Sequence, residues 1–281
     1  MQWSSATPGL LIILVDQSGS MMKPYDGNDN RSQFAAKAVN RVINTIIQKN
    51  FDGKQPKNRC FITVIGYDSE VKKLASGFLQ KLEANPLRID EVTKKVPDGA
   101  GGLVEIKSKM PVWIEPIDKD RWTNMTGAFQ MAKDTVEAWM ADKPENPAPV
   151  IINISDGRPY YDHRDISECV NETIEVVNAI KAIDTNDGKI QIFNAMLGDG
   201  PKVIFPKSED DLTTDEARFL YQISTEIPDA YRGAAEKNEL AYDEGARGAI
   251  YNADAEHLIK LIDFGSSKGT IPNQILDYGF F

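Results

Sequence analysis

Leu10 to Val15 is an uninterrupted apolar run with no alternation, the pattern of a strand covered on both faces. Past a polar loop, Phe34, Ala35, Ala38, Val39, Val42, Ile43, Ile46 and Ile47 recur at helical spacing, which predicts an amphipathic helix from Ser32 to Lys49. Cys60 to Gly66 and Val71 to Ala75 read as strands. The short polar turn Tyr67-Asp68-Ser69-Glu70 between them suits an antiparallel hairpin, so one edge strand runs backwards. Helices follow at Thr126 to Met140, Ile166 to Ile183, Thr214 to Ile227 and Ala255 to Phe264, interleaved with apolar strands at Pro149 to Ile154, Ile190 to Leu197 and Ala249 to Asn252. This alternation predicts a doubly wound, mostly parallel, Rossmann-like α/β sheet with one antiparallel edge strand.

Two segments break the rhythm. Residues 83–120 carry Pro86, Pro97, Pro111 and Pro116, with Asp98-Gly99-Ala100-Gly101-Gly102 between two stretches able to pair, and read as an inserted β-hairpin. Residues 199–247 are long, polar and only partly helical, a second insertion. The expectation is one decorated domain over residues 1–264, followed by a tail, 265–281. The tail's Ile271, Ile275, Leu276, Tyr278, Phe280 and Phe281 either pack back on the domain or dock a partner.

Composition narrows the function. With 41% hydrophobic residues the chain can bury a sizeable core, and its net charge of −10 repels a phosphate backbone, which argues against nucleic acid. No stretch approaches the length needed to cross a bilayer, and Met1 is not followed by a secretion-signal pattern. The two cysteines, Cys60 and Cys169, have apolar neighbours and read as buried thiols, so a cytoplasmic location is expected. The glycosylation pattern Asn153-Ile154-Ser155 lies inside a buried strand and carries no weight.

The candidate chemistry stands at strand ends. Directly after the first strand comes Asp16-Gln17-Ser18-Gly19-Ser20, a carboxylate and two hydroxyls at alternate positions, so that all three oxygens project the same way. Ligands in open α/β sheets bind at the carboxyl ends of strands where strand order reverses. Thr123, in the loop opening the Thr126 helix, and Asp156, immediately after the Pro149 strand, are placed to complete a shell of hard oxygens suited to Mg²⁺ or Mn²⁺.

This Asp-x-Ser-x-Ser, Thr and Asp-Gly set resembles the metal-ion-dependent adhesion site of von Willebrand factor A domains, over Leu10 to Phe264 apart from the insertions. The resemblance implies Asp16, Ser18, Ser20, Thr123 and Asp156 as metal ligands, and a protein partner that presents an Asp or Glu to the cation. Many family members have Gly-Gly before the Thr where this chain has Arg121-Trp122. The Pro97 to Gly102 stretch and Pro111-Val112-Trp113 are similar to bacterial cytoplasmic members of the tellurite-resistance TerY group, which implies a signalling or stress-response assembly with kinase or phosphatase components.

The ligand set carries two negative charges, so a bound cation would stay electrophilic enough to accept a partner carboxylate. A hydrolase would need a base or nucleophile beside the metal. His163 is expected at a helix start and His257 on the surface, and neither fits that role, so no enzymatic activity is expected. Trp122, Tyr160 and Tyr161 are candidate rim contacts, or packing residues. Two alternatives stay open. A haloacid-dehalogenase-like Mg²⁺ phosphotransferase needs a second Asp where Ser18 stands, and a metal-free structural scaffold requires two Asp and three hydroxyls to converge without purpose.

Overall fold

The structure is a computed structural model and describes residues 1–97, 103–117 and 119–266. Its principal elements are β1 (Gly9–Asp16), α1 (Arg31–Lys49), β2 (Cys60–Tyr67), β3 (Val71–Phe78), α2 (Leu79–Ala84), β4 (Arg88–Pro97), β5 (Leu103–Val112) and α3 (Met125–Asp142). They continue with β6 (Val150–Ser155), α4 (Ile166–Lys181), β7 (Gln191–Met196), β8 (Val203–Ile204), α5 (Asp215–Ile223), α6 (Arg232–Lys237), β9 (Ala249–Tyr251) and α7 (Ala255–Ser266).

Seven strands form the main sheet in the order β8-β9-β7-β6-β1-β2-β3. β1 pairs in parallel with β2 on one side and β6 on the other, and the parallel run extends through β7 to β9. β3 returns antiparallel beside β2, as the hairpin signal predicts. The opposite edge ends in β8, two residues long and also antiparallel. That second reversal has no apolar run long enough to announce it.

The unbroken apolar run of β1 has a direct cause. Leu11, Ile13 and Val15 enter one core with α1 and α7, whereas Leu10, Ile12 and Leu14 enter the other with α3, α4 and α5. Alternate side chains of a strand point to opposite faces, so a strand apolar at every position needs helices on both. α1 begins where it does because Asn30 accepts from the Gln33 amide while the Gln33 side chain accepts from the Asn30 amide, a reciprocal cap.

β4 and β5 pair with each other over residues 88–97 and 103–112 and with no strand of the main sheet; the Gly-rich 98–102 stretch lies outside the described residues. Below this ribbon the chain is strapped onto α1. Trp113 is buried with its indole N–H donating to the Leu82 carbonyl, and the Asn40 side chain accepts from the Trp113 and Ile114 amides. Ser32 Oγ then accepts from the Ile117 amide, which delivers residues 119–123 to the carboxyl edge of the sheet. Of the tail, 267–281 lies outside the described residues, and no described helix is long and apolar enough to cross a membrane.

Candidate metal centre

From β1 the chain reaches β2 on one side and, after α3, β6 on the other, so the order reverses at the β1/β6 pair and a crevice opens beyond their carboxyl ends. Asp16 is the last residue of β1 and Asp156 the first after β6. Asp16 is completely buried, its Oδ1 accepting from the Ser18 amide at 2.9 Å and its Oδ2 from Ser155 Oγ at 2.6 Å. Ser18 Oγ lies 3.1 Å from Ser20 Oγ, which in turn donates to Asp156 Oδ1 at 2.8 Å. One hydrogen-bonded chain therefore joins Ser18 and Ser20 to Asp156, from positions far apart in sequence.

The third loop is tied to the second by backbone. Thr123 N donates to the Tyr160 carbonyl at 2.8 Å and Tyr160 N to the Thr123 carbonyl at 3.1 Å. Asn124 caps α3 by accepting from the Gly127 amide, and its own amide donates to the Asp68 carbonyl. Thr123 thus lines the same cleft of about 460 Å³ as Ser18, Ser20 and Asp156. Gly19 is dictated here by space: a Cβ would sit 1.7 Å from Asp120 Oδ1 and 3.1 Å from Asp120 Cα.

Burial, and then the charge of Asp156, push the Asp16 carboxyl up to about 7, against the bonds from Ser155 and Ser18 that favour its ionised form. The same burial raises the Tyr67 hydroxyl well above its ordinary value, with Asp16 adding to the shift. Among the described residues no group of three or more His, Cys, Asp or Glu side chains could hold a metal. A cation here would rest on two carboxylates with hydroxyls between them. That donor set fits a hard divalent ion, because a carboxylate buried against a second one is the arrangement that a positive charge relieves.

The charge inventory differs from the sequence reading, which counts only the two carboxylates. Arg31, at the start of α1, reaches Asp156 Oδ2 with Nη1 at 2.6 Å and Asp199 Oδ2 with Nη2 at 3.2 Å. A capped helix start gives no hint of this, because the partner lies 125 residues along the chain. Ser155 and Asp120 are likewise unread in the sequence, though Ser155 stands directly beside Asp156.

The aromatic positions separate. Trp122 and Tyr160 line the cleft with ring centroids 5.0 Å apart. Tyr161 is not among the lining residues: its hydroxyl donates to Glu172 Oε2 at 2.7 Å, and Arg164 lies over its ring. His163 is exposed and sits edge-on to Trp122 at 4.6 Å, in a left-handed turn (φ 55°) ahead of the α4 cap instead of within the helix start. His257 is half-buried, its Nδ1 2.6 Å from Asp254 Oδ1, so it is less of a surface residue than its place in the sequence suggests.

A larger cleft of about 520 Å³ opens at the amino end of β7 beside Lys181 and Arg247. Its three cations are engaged structurally: Lys181 Nζ donates to the Gln222 and Ser224 carbonyls, Arg247 Nη1 to those of Tyr221 and Gln222, and Lys189 pairs with Asp184 at 2.6 Å.

No protein-family model matches the chain, and no curated protein matches it. Solved structures of similar shape exist. The von Willebrand factor domain of the type V pili tip protein Mfa5 from Porphyromonas gingivalis is 14% identical, over 97% of this chain and 99% of that one, at a TM-score of 0.49. The manganese-loaded TRAP protein of Plasmodium vivax is 16% identical over 93% of this chain and 74% of its own, at 0.42. BatB from Bacteroides thetaiotaomicron is 16% identical over 67% of this chain at 0.37, and the chain spans 66% of the BatB chain.

Proposed function

We propose that the chain is a metal-ion-dependent adhesion module of the von Willebrand factor A type, which grips a protein partner through a divalent cation, Mg²⁺ or Mn²⁺. Asp16, Ser18, Ser20, Thr123 and Asp156 would hold the ion. The observation that carries this reading is the meeting of three separate loops at the β1/β6 crevice, with Ser20 bonded to Asp156 and Ser18 adjoining Ser20. When bound, the ion supplies an electrophilic position for an Asp or Glu carboxylate of the partner.

The protein's own side chains would do the rest. Lys23, Arg31, Arg121 and Arg158 line the cleft beside Asp120, Asp156 and Glu216, a slight local excess of positive charge in a chain whose net charge is −10, which favours an acidic partner segment. Trp122 and Tyr160 add an aromatic wall of the kind that anchors interfaces. We read the site as binding and not catalytic, because the described lining holds neither His nor Cys and Ser18 stands where a dehalogenase-like phosphotransferase needs its second carboxylate. A place in a cytoplasmic bacterial signalling or stress-response assembly, with kinase or phosphatase components, rests on the TerY resemblance alone.

The test is calorimetric titration with Mg²⁺ and Mn²⁺ of the wild type and of Asp16→Ala, with folding checked by circular dichroism. Saturable binding that disappears in a folded Asp16→Ala supports the reading. A folded variant that still takes up metal as the wild type does would sink it.

A further inference from the structure

Arg31 occupies a position that ordinary helix chemistry disfavours. It is the first residue of α1, where the positive end of the helix dipole repels a cation, and only 5% of it is exposed. Its Nε is buried without a hydrogen-bond partner. A desolvated guanidinium with an unsatisfied N–H at a helix amino end is costly, so what holds it there must be its acidic partners. Asp199 contributes little, because its side chain is 92% exposed. Asp156 is the partner that counts: the two side chains are 6% and 5% exposed and 2.6 Å apart.

The two oxygens of Asp156 are divided. Oδ1 faces Ser20, and through it the hydroxyls of the cleft, while Oδ2 is taken by Arg31. Such a bond fixes the rotation of the carboxylate and presents one oxygen to the cleft. It also alters the charge of the site. Asp16 and Asp156 contribute two negative charges and Arg31 returns one, so the two carboxylates that would hold a divalent cation present net −1 with Arg31 in place instead of −2 without it.

We infer that Arg31 is a positioning residue that sets the charge of the cation site, trading metal affinity for a stronger hold on the partner's carboxylate. The inference rests on the adhesion-site reading. A guanidinium beside Asp156 repels a second cation, which weakens metal binding. Because Arg31 already offsets one carboxylate, a bound divalent ion would keep more of its charge, which strengthens attraction for an incoming anion, so metal and carboxylate affinities respond to Arg31 in opposite directions. A merely structural arginine would move both the same way, by loosening the loop.

The experiment compares wild type, Arg31→Gln, Arg31→Met, Arg31→Lys and Asp16→Ala. Mn²⁺ affinity is read by calorimetry, acetate binding to the Mn²⁺-loaded protein by water-proton relaxation, and folding by circular dichroism and urea unfolding. Two neutral variants are included so that one that fails to fold does not decide the matter. A folded neutral variant should bind Mn²⁺ at least about tenfold tighter and acetate at least about tenfold more weakly, the scale of one charge a few ångströms away under partial solvent screening. Arg31→Lys, which keeps the charge and loses the fork, should stay near wild type in both. If neutral variants bind Mn²⁺ no tighter than wild type while Asp16→Ala binds none, the metal site stands and the inference about Arg31 falls. If no protein in the series binds Mn²⁺, the adhesion-site reading itself falls and takes this inference with it.

Discussion

Directly under the site runs a buried polar chain that a single substitution should break measurably. Tyr67 donates to Asn153 Oδ1 at 2.7 Å, Asn153 Nδ2 to Asn194 Oδ1 at 2.9 Å, and Asn194 Nδ2 to Ser224 Oγ at 2.8 Å, so the chain crosses β2, β6 and β7 and ends just past α5. None of the four residues is more than 1% exposed. Asn153→Leu keeps the branching at Cγ and removes both polar atoms, orphaning the Tyr67 hydroxyl and one acceptor site of Asn194. A buried polar group left without its partner costs about 1–3 kcal/mol. The Ser155 side chain lies close enough to Tyr67 to take part of that load, so the expected loss is about 2–4 kcal/mol. For a chain of this size each kcal/mol moves Tm by about 2–4 °C. Urea unfolding followed by circular dichroism at neutral pH measures the free energy. In a double-mutant cycle, Asn153→Leu with Asn194→Leu should cost less than the sum of the two single changes, because the second removes an atom that the first had orphaned. A single-variant loss below about 0.5 kcal/mol, or strict additivity in the cycle, would refute the claim that these bonds act as one buried network.

Gly19→Ala must push the Asp120 carboxylate aside and crowd Asp120 Cα at 3.1 Å, next to the 3.0 Å bond from Gly19 N to the Arg121 carbonyl; on the adhesion-site reading Mn²⁺ affinity should fall, since ligands held slightly out of place lose function, and calorimetry checks it. Lys181 is pulled down to about 8, first by burial and then by Arg247. The folded protein therefore binds fewer protons than the unfolded chain between pH 8 and about 10.5, so wild type should gain stability over Lys181→Met as pH rises through that window, measured by urea midpoints at each pH. Cys60 and Cys169 are free and buried, and burial pushes the Cys60 thiol up. Neither should react with a thiol reagent at pH 8 on the timescale on which the urea-unfolded protein reacts completely.

What the sequence determines by itself is local. The apolar run of β1 and the three-to-four-residue stripe of α1 are each legible, because the residues that cause them lie within one strand or a few turns of helix. The positions of Asp16, Ser18, Ser20, Thr123 and Asp156 are legible for the same reason: each stands where an apolar run stops or a helix starts. Tertiary structure alone decides which strand lies beside which, and hence that the ends of β1 and β6 share a crevice. It alone decides that Asn153, a polar residue within an apolar strand, is matched to Tyr67 and Asn194, and that Arg31 faces Asp156. Periodicity reports only whether a side chain points inward. The identity of its partner depends on how strands far apart in sequence are ordered in the sheet, and buried charges and hydrogen bonds depend on that identity far more than apolar contacts do.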